Sequence, residues 1–370
     1  MVLSDTSADR ANHRAKLRAE RTGSVGEGLI RHPLSAEAKW AYITRNVWQD
    51  DVGGVAALAR RRPAAGDLLL AQVDRVAQHT KLHLVSGRRS QLFPGDRLVV
   101  AYGHLQAPGV FEAQVPEDLR SCHLVASGGL AARVIAARSP RREPTLITPY
   151  GFLLDHKGEV LNLSHYGLSP AVAVGSKPVI CVVGSAMQVG KTTVITALTR
   201  GLCAAGMGVA ALKVTGTGAG DDPWDYADAG ADMVLDATDA GLASTYQLSP
   251  ARIESSLATL VATAEGDAQV DVILLELADG LLHENCLPLL TCATLKALQP
   301  RLIFAAGEVV SARTGIEILE AHGLRLAALS GLFTASPLGV AEIEEATGLP
   351  VWRQEDLQSA GTIKQLLAAS

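Results

Sequence analysis

Midway along the chain an apolar run opens into Val182-Val183-Gly184-Ser185-Ala186-Met187-Gln188-Val189-Gly190-Lys191-Thr192-Thr193. A buried strand that ends in a loop, with a helix starting at Gly-Lys-Thr, aims main-chain N–H groups and a helix dipole at one spot. Such a spot suits a phosphate chain. In this P-loop Lys191 would bridge the outer phosphates, and the Thr192 hydroxyl would ligate Mg²⁺. Nucleotide contacts are expected from Gly184, Gln188, Val189, Gly190, Lys191, Thr192 and Thr193. One position departs from the ordinary motif: Ser185 stands where its first glycine belongs, and Gly184 lies one place earlier.

Two further segments carry acid and base groups at strand ends. Val270-Asp271-Val272-Ile273-Leu274-Leu275 runs into Glu276, then Leu277-Ala278-Asp279-Gly280. An acid at the C-terminal end of a parallel strand faces the crevice where such sheets bind ligands, and there it can hold Mg²⁺ directly or through water. The other segment is Leu212-Lys213-Val214-Thr215-Gly216-Thr217-Gly218-Ala219-Gly220-Asp221-Asp222. Lys213 could neutralise charge on a transferred group, and Asp221 or Asp222 could ligate metal or act as a base. The metal set is therefore Thr192, Glu276 and Asp221, and the catalytic set is Lys191, Lys213 and Glu276. Lys213, Thr215, Thr217, Asp279 and Gly280 are expected to face substrate. Trp224, Asp225, Tyr226 and Asp228 are either lid residues or the start of a helix.

The elements that must position these groups follow a strand–loop–helix grammar. Strands are expected at 179–183, 209–214, 270–275, 302–305 and 324–329, with helices at 192–203, 252–263, 287–298, 310–322 and 340–347. That alternation means an α/β fold: a P-loop NTPase-type, mostly parallel sheet with helices on both faces. Ahead of it, short β runs at 68–73, 81–85, 91–93 and 97–101 are separated by Ser86-Gly87 and Pro94-Gly95-Asp96. A helix over 127–138 and a hairpin about residues 155–158 follow. They compose a small β-rich, barrel-like domain. The expected division is an arm over 1–66, the β-rich domain over 67–176 and the nucleotide-binding domain over 177–370.

Composition narrows the function classes. A net charge of −5 leaves no basic excess for nucleic acid, and the Arg60–Arg62 and Arg141–Arg142 runs read as solvated loop ends. Five scattered cysteines form no C-x-x-C pair, which argues against a disulfide framework or a zinc site. Neither a signal peptide nor an apolar run of about 18 residues is present. We therefore expect a cytoplasmic protein with a small-molecule substrate, no nucleic acid or membrane partner, and a homo-oligomeric state.

Together the three segments resemble the dethiobiotin synthetase and cobyrinic acid diamide synthase group of P-loop proteins. That group carries Gly-x5-Gly-Lys-Thr, the spacing of Gly184–Thr192, so the early glycine is a family trait. Its second-strand Lys followed by Thr-Gly resembles the run from Lys213 to Gly216, and its Val-Glu-Gly-Ala-Gly-Gly-Leu resembles the run from Leu275 to Leu281. The resemblance covers roughly residues 177–352. It implies phosphate and Mg²⁺ binding by Lys191 and Thr192, metal service by Glu276 and a substrate-facing Lys213. It also implies Mg²⁺ and ATP as cofactors, although Thr334 stands where the group has a base-reading Asn, which leaves the base open. The activity implied is an ATP-dependent ligase that phosphorylates a carboxylate or carbamate for attack by an amine. A small-molecule kinase and a nucleotide-switched scaffold are the alternatives.

Overall fold

The computed structural model describes residues 38–58, 60–107, 110–137 and 143–368. Most of the arm and the Arg141–Arg142 pair lie outside the described residues. The described chain divides into two compact units. The first runs to Leu168 and also takes Thr217–Gly220 and Ala237–Gln247; the second is Ser169–Gly216, Asp221–Asp236 and the chain from Leu248 onward.

The first unit is built from β1 (Lys39–Trp40), β2 (Gly54–Ala56), β3 (Leu68–Arg75), β4 (Lys81–His83), β5 (Arg89–Gln91), β6 (Arg97–Tyr102), β7 (Leu105–Gln106), β8 (Phe111–Gln114), β9 (Cys122–Ala126), β10 (Leu130–Ala137) and β11 (Thr145–Leu154). β4 and β5 pair with each other. The other nine form one sheet in the order β1-β6-β3-β11-β9-β10-β8-β7, with β2 on β11. An additional parallel pairing of β6 with β10 closes β6, β3, β11, β9 and β10 into a ring, which removes the open edges of those strands. Leu68, Leu98, Leu124, Tyr102 and Phe152 fill the ring's core.

Two expectations change here. Residues 38–66, read as arm, contribute β1 and β2 to the sheet. The stretch 127–138, expected as a helix, holds strand β10. Leu130, Ala131 and Ala132 are fully buried and pair with β9 and β6, so non-local pairing overrides local propensity. Asp67, also fully buried, is saturated by donors: Arg61 Nη2 reaches its two oxygens at 2.8 and 2.9 Å, the Ala64 N–H at 2.8 Å and Asn162 Nδ2 at 3.1 Å.

The second unit is a six-stranded parallel sheet of β12 (Val179–Gly184), β13 (Val209–Lys213), β14 (Met233–Asp236), β15 (Val272–Glu276), β16 (Arg301–Ala305) and β17 (Leu326–Ser330), in the order β14-β13-β15-β12-β16-β17. Its helices are α1 (Lys191–Ala204), α2 (Asp221–Asp228), α3 (Pro250–Glu265), α4 (Cys286–Leu290), α5 (Ala293–Leu298), α6 (Val309–Ala321), α7 (Pro337–Thr347), α8 (Gln354–Leu357) and α9 (Ala360–Ala368). Ile180 and Val182 meet α1 through Val194, Ile195 and Leu198. Cys181 and Val183 point to the opposite face and are equally buried, so the sheet is covered on both sides, as β-branched runs require.

β14 is not among the strands expected from sequence, and of the two readings of residues 224–228 the structure has the helical one, in α2. The single helix expected over 287–298 is broken into α4 and α5. Cys292 is extended there (ψ 163°) and caps α5, and Glu254 accepts from both the N–H and the hydroxyl of Thr294 at 2.9 Å. No helix among the described residues is long and apolar enough to cross a membrane.

Candidate nucleotide-binding site

Parallel register gathers the chemistry at one edge of the second unit's sheet. Glu276 is aligned with Val182 on one side and Lys213 on the other, and Lys213 is aligned with Asp236. One strand further, Gly184 is aligned with Ala305, and Ala305 with Ser330. The crevice at the C-terminal ends of these strands is where sheets of this kind bind ligands.

The loop between β12 and α1 is fixed on three sides. Ser185 N–H donates to Ala305 O at 2.9 Å, Leu281 N–H to Gly184 O at 2.7 Å, and Leu332 N–H to Val189 O at 3.1 Å. Gly184 must be glycine for space, because a Cβ there would lie 2.8 Å from Val189 Cγ2 and 3.0 Å from the Lys191 stem. Gly280 is under the same constraint: its Cβ would meet Ala186 Cα and Ser185 O at 2.8 Å, so the segment after β15 lies directly on the loop. Gln188 (φ 58°) and Asp279 (φ 67°) adopt left-handed backbone conformations, which are costly for side chains larger than glycine and recur at ligand sites. Lys191 Nζ donates to Ala186 O at 2.8 Å and Asp279 O at 2.5 Å. Burial pulls its pKa below the ordinary lysine value.

A second cluster stands beside the first. Thr192 Oγ1 donates to Asp222 Oδ1 at 2.9 Å, and the other Asp222 oxygen forms an ion pair with Lys213. Burial would push the Asp222 carboxyl up, but Lys213, Thr192 and Lys191 together outweigh it and hold the pKa below the usual carboxylate range. Burial likewise works against the Lys213 ammonium, yet Asp222 and Glu276 keep its pKa above normal. Glu276 is 3% exposed, and burial raises its pKa against the pull of Lys213. Its Oε2 accepts from the Tyr226 hydroxyl at 2.5 Å. Burial raises the Tyr226 phenol well above its usual value, so it remains a donor. Asp222 and Tyr226 lie four residues apart on α2, hence on one helix face, so a single helical turn serves both Thr192 and Glu276.

Lys191, Thr192, Lys213 and Glu276 thus stand together. Gly190 caps α1 and Thr193 lies exposed on its first turn. The Thr215 hydroxyl donates to Ala278 O at 3.4 Å, and the Asp279 carboxylate lies 3.7 Å from His283 Nε2. The carboxylate that reaches Thr192 is that of Asp222; Asp221, one residue earlier, is exposed on the same turn. Thr217 falls in the first unit, where it pairs with Ser244. Sequence reasoning named Tyr226 only as a lid or helix residue, without its bond to Glu276, and missed Asp236. The only signal for Tyr226 was its four-residue spacing from Asp222, and Asp236 depended on an unrecognised strand. The donor set of Thr192 hydroxyl, Asp222 and Glu276 is all oxygen and fits Mg²⁺, which takes few protein ligands when phosphates complete its shell.

A family profile described as molybdopterin guanine dinucleotide synthesis protein B, MobB, matches residues 179–283. No curated protein matches the chain. Among solved structures, chloroplast FtsY from Physcomitrella patens is 18% identical, covering 55% of this chain and 70% of that one with a TM-score of 0.37. The signal recognition particle receptor FtsY from Elizabethkingia anophelis is 18% identical over 53% of this chain and 66% of its own, TM-score 0.36. A DUF1611 family protein from Anabaena variabilis is 15% identical over 54% of this chain and 61% of its own, TM-score 0.38. With the loop, the register and the profile match taken together, the second unit is a P-loop NTPase-type nucleotide-binding domain, similar over residues 179–283 to MobB.

Proposed function

We propose that the chain is a cytoplasmic enzyme that transfers the terminal phosphoryl group of a Mg-nucleoside triphosphate to an acidic small molecule. The observation that carries this reading is the continuous chain Thr192–Asp222–Lys213, which ties the loop's hydroxyl to a cationic side chain on the next strand but one. Lys191 would exchange its two carbonyl partners for β- and γ-phosphate oxygens, and Thr192, Asp222 and Glu276 would hold Mg²⁺. When bound, the metal supplies neutralisation of charge on the phosphates. Lys213 would orient a substrate carboxylate or carbamate so that its oxygen attacks the γ-phosphorus. A new P–O bond forms there, the bond to the β–γ bridging oxygen breaks, and the nucleoside diphosphate leaves.

In the ligase version of this reaction, supported by the resemblance to dethiobiotin synthetase, an amine then displaces phosphate from the acyl phosphate. In the kinase version the phosphorylated product is released. The MobB description names a guanine dinucleotide, so GTP belongs beside ATP in any assay. The test is a screen of carboxylate and amine metabolites for stimulated diphosphate release, with products resolved by mass. Free phosphate with a new amide or ring marks a ligase, and a phosphorylated metabolite marks a kinase. Slow hydrolysis that no metabolite accelerates would remove the enzymatic reading and leave a nucleotide-controlled scaffold.

A further inference from the structure

A groove of about 440 Å³ runs along the outer flank of α1, beginning at Thr192 and Thr193. We propose that it seats the nucleoside half of the nucleotide whose phosphates occupy the loop, an inference that rests on the phosphate-site reading above. Its volume is of the size that holds a small cofactor. Its floor is a stripe on α1: Thr193, Thr196 and Arg200 recur at three- and four-residue spacing on one helix face. Seven residues at the helical rise extend about 10 Å from the phosphate end, the reach of a ribose and a base.

Each wall repeats the helical spacing. Asp225 and Asp228 of α2 are three residues apart, and Gln354 and Gln358 at the two ends of α8 are four apart. Four of the polar groups here are uncommitted: Arg200, Asp228, Gln354 and Gln358 make no side-chain hydrogen bond or ion pair with another described residue. Each has a counterpart in a nucleoside. Carboxylates accept from ribose hydroxyls, a guanidinium plane stacks on a base, and side-chain amides offer both a donor and an acceptor to a base edge. α2 thereby serves both ends of one ligand, with Asp222 and Tyr226 at the phosphate end and Asp225 and Asp228 at the ribose. Asp222 and Asp225 are three residues apart, about one turn, so the same helix that closes the metal cluster lines the groove.

The test is equilibrium binding by the full chain in Mg²⁺, with inorganic tripolyphosphate, ATP, GTP and their 2′,3′-dideoxy forms as probes. The wild type should bind at least one nucleotide about tenfold or more tightly than tripolyphosphate. Thr196→Trp, which fills the groove, should reduce that nucleotide to the tripolyphosphate level and leave tripolyphosphate unchanged. Asp225→Ala with Asp228→Ala, which removes both acceptors, should abolish the preference for ribose over dideoxyribose. Arg200→Ala, at an exposed position that does not touch the core, should weaken the nucleotide alone and covers the event that Thr196→Trp misfolds. Undiminished nucleotide binding in a folded Thr196→Trp or in Arg200→Ala would overturn the groove assignment while the phosphate site stood. If the wild type binds neither tripolyphosphate nor nucleotide, the phosphate-site reading falls and takes this one with it.

Discussion

Asp67 in the barrel and Glu276 in the parallel sheet are both buried carboxylates, yet they are held in opposite ways. Asp67 receives the Arg61 guanidinium on both oxygens, a main-chain N–H and an amide, so its acceptor capacity is used up. Glu276 receives one hydrogen bond among the described residues, from Tyr226, and burial leaves its pKa raised. A saturated buried charge is a structural fastener, because removing a partner strands the others. An under-served one keeps acceptor capacity in reserve, and in the function proposed above a metal ion would take it up. The difference separates fastener from site without reference to any relative.

Substitutions can break this comparison. The largest effect is expected from Lys191→Ala: turnover of nucleotide should fall at least about a hundredfold, roughly 3 kcal/mol of lost charge stabilisation, with the melting curve little changed. Steady-state hydrolysis beside calorimetric melting checks both halves. Asp67→Ala should do the reverse. It should lower stability by about 3 kcal/mol in denaturant titration while nucleotide affinity, measured where the variant is still folded, holds. If Asp67→Ala were neutral to stability, saturation would not mark a fastener.

Glu276→Gln sharpens the comparison at a smaller scale. The Mg²⁺ concentration for half-maximal activity should rise about tenfold, with metal-free nucleotide binding preserved. An unchanged Mg²⁺ titration would reduce Glu276 to a strand end.

The smallest effects are those of pH, and they have opposite signs in the two units. Glu276 binds its proton more tightly folded than unfolded, because burial raises its pKa. Its contribution to stability is complete below the ordinary glutamate value and is lost as pH rises through the raised one. His79 is the converse: burial lowers its pKa, so its contribution is complete above the ordinary histidine value and is lost as pH falls below it. Hydrogen exchange followed unit by unit across pH should show the sheet loosening toward alkali and the barrel toward acid. Glu276→Gln should flatten the first trend and His79→Gln the second.

Much of the second unit was legible because its signals are local. An apolar run, a Gly-Lys-Thr and an acid at a strand end each declare themselves within a dozen residues, and parallel register then brings Lys213 beside Glu276. What was not legible depends on distant partners. The alanines of β10 favour a helix until β6 and β9 claim them, and the ring is closed by a parallel pairing that no turn motif announces. Asp222 was one of two adjacent acids, and only the path of the chain into α2 selects it over Asp221. Tyr226 reads as a lid residue or the start of a helix until Glu276 is found at its hydroxyl.

The way the chain is shared between the units bears on how the protein comes to be made. Leaving the sheet after Gly216, it enters the first unit for four residues, returns for α2 and β14, and enters again for Ala237–Gln247. Inside the first unit these two excursions bond to each other and to the barrel: Gly218 N–H donates to Ala243 O at 3.3 Å, and Gly220 N–H to His83 Nδ1 at 3.2 Å. A ribosome that has delivered residue 168 has delivered every strand of the barrel ring but not the two excursions that pack with it. The segments of that unit are complete only at residue 247, by which point β12, α1 and β13 have also been synthesised. Neither unit can be cut out by a single scission of the chain or transplanted as a contiguous cassette.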